Sequence, residues 1–149
     1  MPYHLAQLNI GKARDSMDST VMKEFADGLE PINLLAEQSA GFVWRLKDDS
    51  GNATNIHYFD DPNMLVNLSV WEDVESLQDF MFKTHHMDFL KQRKKWFQPE
   101  RSDTYVLWWI PAGHLPEIPE ALARLTQLRE QGISSSAFTF SKIFPKPTE

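Results

Sequence analysis

The stretch TYVLWWI, from Thr104 to Ile110, decides the fold. Side chains alternate across a pleated strand, so Val106, Trp108 and Ile110 fall on one side and Leu107 and Trp109 on the other. A strand that is apolar on both sides has to be covered on both. Three more segments alternate in the same way. In Tyr3–Ile10, Ala6, Leu8 and Ile10 alternate with Gln7 and Asn9. In Met64–Trp71, Val66, Leu68 and Val70 lie opposite Leu65, Asn67, Ser69 and Trp71. A shorter strand is read from Phe42 to Lys47.

Between the strands the apolar period changes from two to between three and four. Met22, Phe25, Leu29, Ile32 and Ala36 form one stripe of a helix from Ser19 to about Gln38, with Asp18 or Ser19 as its cap. Pro31 removes a backbone donor inside it, which predicts a kink or break. Gly41 follows as a residue free to take positive φ. Val74, Leu77, Phe80, Met81 and Thr84 mark a second helix, capped by Glu72 or Asp73. Its face continues through Phe89, Leu90, Arg93 and Phe97, and Pro99 ends it. Pro119 opens a last helix reaching Gln131, where Gly132 stops it. Phe138 to Phe140 reads as a short edge strand and 141–149 as a flexible tail.

The order β-α-β-β-α-β, followed by α, is the split βαβ or ferredoxin-like α+β plan. It is an antiparallel sheet with helices on one face, in a single domain spanning 1–149. Such a sheet leaves one face bare. The bulky residues on both sides of Thr104–Ile110 therefore predict a second sheet, supplied by a twofold-related copy in a homodimer. The competing expectation is a monomer whose final helix covers the spare face.

Composition narrows the function classes. The 149 residues are 42% hydrophobic and 24% charged, a globular balance. With no cysteine, the chain has no disulfide, thiolate nucleophile or Cys-ligated metal. A net charge of -6 speaks against nucleic-acid binding. No apolar run is long enough to span a bilayer and no leader is visible, which predicts a cytoplasmic protein without membrane contact. Five Trp, ten Phe and three Tyr are many for this length, and read either as a well-filled core or as an aromatic-lined cavity for a small hydrophobic or aromatic molecule. P-loop, G-x-G-x-x-G and G-x-S-x-G patterns are all missing from the sequence.

Four strings carry a resemblance. They are GFVWRL from Gly41 to Leu46, Asn67-x-Ser-Val-Trp71, His86-x-x-x-Leu90-x-x-Arg93-x-x-Trp96-Phe97, and LWWIPAGH from Leu107 to His114. Together they resemble the DUF3291 family from about His4 to Phe140. In plan the chain is similar to dimeric α+β barrel proteins, which include antibiotic-biosynthesis and heme-degrading monooxygenases. In the heme-degrading relatives an Asn, a Trp and a His form the site, and the resemblance makes Asn9, Trp71 and His86 the possible counterparts.

The candidate catalytic residues are His86, Asn67 and Asn9. An imidazole moves protons near neutral pH, and a buried amide either ties a network together or orients a ligand. His85 points about 100° away from His86 on an unbroken helix, so the two cannot share one cavity. Trp71, Trp44, Trp96 and Trp109 are candidate walls for a flat ligand, with core packing as the plain alternative. Arg93, seven residues after His86, could clamp a carboxylate. Arg45 reads better as a salt-bridge partner. No three ligands are spaced for a metal.

The resemblance implies an enzyme of the cofactor-independent monooxygenase kind, in which His86 deprotonates an aromatic or polycyclic substrate that then reacts with O₂. Heme held through His86 is a variant of that expectation. The alternatives are a non-catalytic ligand- or heme-binding dimer, and an isomerase or cyclase using the same cavity as a template.

Overall fold

The computed structural model describes residues 3–15, 19–46, 64–83, 96–97 and 104–147. Four antiparallel strands, β1 (Tyr3–Lys12), β2 (Phe42–Arg45), β3 (Met64–Trp71) and β4 (Tyr105–Pro111), lie in the order β2-β3-β1-β4. The helices are α1 (Lys23–Gln38), α2 (Val74–Lys83) and α3 (Ile118–Gln131). This is the α+β split βαβ plan with one helix added. Beyond β4, Phe138 exchanges both backbone hydrogen bonds with Leu107, at 2.7 and 2.9 Å, so the sheet gains the short edge segment expected there.

Local chemistry sets the element ends. Asp73 caps α2, its Oδ1 accepting from the Ser76 N–H at 2.8 Å. Gly41 turns the chain into β2 at φ +82°, where an L side chain is strained. α1 continues through Pro31 as one helix, so of the expected kink or break the break does not occur. It starts at Lys23, and Ser19 Oγ accepts from the Met22 N–H one turn earlier, at 3.3 Å.

The two sheet faces are covered differently. Ala6, Leu8, Ile10, Val66, Leu68, Val70, Val106, Trp108 and Ile110 share one face and pack against Ala121, Leu125 and Leu128 of α3. α1 and α2 cover the other face, where Leu5, Trp71 and Leu107 meet Ala36, Leu77 and Phe80. Helices therefore lie on both faces, not on one. α3 packs on the β1 and β4 part of the face for which a second sheet was expected, and Ala6, Leu8 and Trp108 are fully buried within the chain. Residues 141–147, within the segment 141–149 read as a flexible tail, are exposed apart from Phe144. Phe144 packs on Phe138 with ring centroids 5.7 Å apart, and its carbonyl accepts from Trp109 Nε1 at 3.0 Å. No helix among the described residues is long and apolar enough to cross a membrane.

Candidate functional site

Strand register arranges the α1/α2 face of the sheet in rows. Phe42, Trp71, Leu5 and Trp109 stand side by side in one row. Arg45, Ser69, Gln7 and Leu107 form the next, and Asn67, Asn9 and Tyr105 the one after it. Leu65 and Gly11 follow. The covering of these rows is uneven. The first row and Leu107 belong to one aromatic cluster, in which Trp71 stacks on Phe80 with ring centroids 5.3 Å apart. Leu65 belongs to another, with Ala13, Met22 and Trp96, against which Phe25 and Phe97 pack. Gly11 lets that second cluster close down on the strand, because a Cβ there would sit 2.8 Å from the Phe97 ring.

A polar strip lies between the two clusters. Gln7 Nε2 donates to Asn67 Oδ1 and, at 2.7 Å, to Ser69 Oγ. Trp71 Nε1–H donates to the same Ser69 Oγ at 2.9 Å. Gln7 and Ser69 are buried, whereas Asn9 and Asn67, directly opposite one another, are exposed. From Gln7 to Asn9 the strip is ~7 Å along the strand, about the width of one fused ring.

α1 contributes side chains to both clusters. Its start packs into the second cluster through Phe25, and its later turns pack into the first through Ile32, Leu35 and Ala36. Leu29 falls between them on the same stripe. Of the stripe positions inside α1 only Ala36 is buried, and Phe25, Leu29 and Ile32 are half-buried. An amphipathic helix normally buries its stripe on the sheet beneath. Here the stripe is shared between the two clusters that flank the amides and the hydroxyl.

Asn67, Asn9 and Trp71 are brought together on this face, and Trp96 closes the far cluster. Trp109 lies at the other end of the Trp71 row, with the Lys146 ammonium 5.9 Å from its ring centroid. Trp44 does not share this face. A register shift between Phe42 and Trp44 pairs Trp44 with Val70 and turns it to the α3 face. Arg45 bonds Glu37 at 3.1 Å, the salt-bridge role expected of it. His86 and Arg93 lie outside the described residues. The described histidines are elsewhere, His4 opposite Ile110 on the α3-side register and His114 bonded to Glu120 at 2.7 Å. Neither suits an axial heme ligand at the strip. Gln7 and Ser69 are the residues sequence reasoning passed over. The signal was present, because both alternate in phase with Asn9, Asn67 and Trp71.

The family model described as Domain of unknown function (DUF3291) matches residues 4–149. Among curated proteins, none matches the chain. Among solved structures the chain is similar to SnoaB, a cofactor-independent oxygenase from Streptomyces nogalater. That likeness has 16% identity and a TM-score of 0.49, and covers 76% of this chain and 98% of that one. It is also similar to PA3566 from Pseudomonas aeruginosa, with 12% identity and a TM-score of 0.49 over 74% of this chain and 94% of that one.

Proposed function

The chain belongs to the DUF3291 family, and from the geometry of its sheet we propose that it binds a flat, largely apolar small molecule between α1 and the Gln7–Ser69–Asn67 strip. The observation that carries this reading is the hydrogen-bonded polar strip between two aromatic clusters under one half-buried helical stripe. Aromatic walls with a few fixed polar groups are the composition of small-molecule sites. Trp71 and Phe80 border the strip on one side, and Phe25 and Phe97 on the other.

The reading extends to a reaction. Gln7, Ser69, Asn67 and Asn9 are all neutral, so they orient an oxygen but do not take a proton. His86 is the base we assign to that task. Loss of a proton from an activated ring CH₂ leaves a carbanion that reduces O₂. One oxygen atom becomes the new ring carbonyl and the other leaves as water, so atoms and electrons balance without a cofactor. A ligand-binding protein without turnover is the second reading, favoured by the neutrality of the whole strip.

Calorimetric titration with polycyclic ketones and phenols, followed by O₂ uptake with the ligands that bind, tests both. Binding that His86→Ala leaves intact, with O₂ uptake lost, supports the enzyme. Binding without O₂ uptake leaves the binding protein. No binding by any of these compounds removes the proposal.

A further inference from the structure

Ser69 carries a hydrogen-bond arrangement that selects the ligand. Its Oγ receives Gln7 Nε2–H at 2.7 Å and Trp71 Nε1–H at 2.9 Å. A hydroxyl oxygen has two acceptor positions and one proton. With both acceptor positions filled, only the proton is left to offer. The indole fixes this polarity, because Trp71 Nε1 can only donate. Ser69 itself is 6% exposed, so water has little access to that proton. A buried donor without an acceptor is costly, and a ligand oxygen placed there relieves the cost. The neighbouring Asn67 points its Oδ1 at Gln7, which leaves its Nδ2–H₂ on the exposed edge of the same strip.

We infer that the bound molecule is recognised through an acceptor oxygen, a ring carbonyl or a phenolate, taken by the Ser69 hydroxyl with Asn67 Nδ2 beside it. This rests on the proposed binding strip and adds the polarity of its recognition. Gln7 is then a positioning residue, since its amide holds both Asn67 Oδ1 and Ser69 Oγ.

The test is calorimetry on the full chain with three probes of similar size: acetylnaphthalene, which only accepts, ethylnaphthalene, which does neither, and naphthylmethylammonium, which only donates. Acetylnaphthalene is expected to bind about tenfold tighter than ethylnaphthalene, the worth of one well-made hydrogen bond. Ser69→Ala removes that advantage, and Ser69→Thr restores it. Asn67→Asp, at an exposed position that keeps the acceptor for Gln7, weakens acetylnaphthalene selectively without lowering the melting temperature. Equal affinities for acetylnaphthalene and ethylnaphthalene would overturn the inference and leave the binding strip standing. A preference for naphthylmethylammonium would overturn it too, since the amides would then face the other way. Failure of all three probes to bind would overturn the binding strip and this inference together.

Discussion

Trp71 and Ser69, two positions apart on one side of β3, are joined by a hydrogen bond of 2.9 Å from the indole N–H to the hydroxyl. The bond ties the aromatic cluster around Phe80 to the polar strip beside it. Trp71→Phe keeps a ring to stack but removes the donor. A loss of about 1 kcal/mol of unfolding free energy is expected. Urea unfolding of Trp71→Phe, Ser69→Ala and the double variant should show the two losses to be less than additive.

Gly41 lies at φ +82°, and a Cβ added there would fall 2.0 Å from Ser76 Oγ. Gly41→Ala therefore brings both backbone strain and a clash with the first turn of α2. A destabilisation of about 3 kcal/mol is expected, read as a lower urea midpoint at unchanged slope.

α3 covers a sheet face that would otherwise be bare, and Leu125 is buried at its centre. Leu125→Ala is expected to cost about 3 kcal/mol through lost burial and the cavity left behind. Leu34→Ala on α1, where the side chain is 51% exposed, is expected to stay within about 0.5 kcal/mol of the parent. Comparable losses for the two would contradict the placing of α3 against the sheet.

The Asp73 carboxyl titrates below its ordinary value. The Ser76 backbone N–H holds it down most strongly, then the Ser76 hydroxyl, with Lys146 adding a little against the opposing effect of burial. A carboxyl lowered on folding stabilises the protein above its unfolded value of about 3.9, and loses that contribution as pH falls through the folded value. Asp73→Ala is therefore expected to cost about 1 kcal/mol at neutral pH. Denaturant unfolding across an acid series should show the gap to the parent narrowing only as Asp73 protonates.

The strands and helices were legible because their periods are clean. Met64–Trp71 was read to the residue, and Asp73 was named among the caps of α2. Pro31 does not break α1, whose packing on two clusters offsets the loss of one backbone bond. The surface that α3 meets is not legible, since periodicity shows that a helix has an apolar side and not what covers it. Trp44 was placed in the site because simple alternation cannot reveal the irregularity between it and Phe42. Asn9 and Asn67 drew notice as amides among apolar neighbours. Gln7 and Ser69 did not, because their importance lies in a cross-strand meeting of residues 62 positions apart.

The account stands on the strip between the two clusters being where a flat ligand lies. Its most direct measurement is the nitrogen–proton NMR spectrum of the full chain titrated with acetylnaphthalene. The side-chain amide signals of Asn67, Asn9 and Gln7 and the indole signal of Trp71 should shift together with one saturation curve. Saturable shifts confined to the indoles of Trp44 and Trp108, on the opposite face of the sheet, would contradict it, and so would a spectrum that does not change.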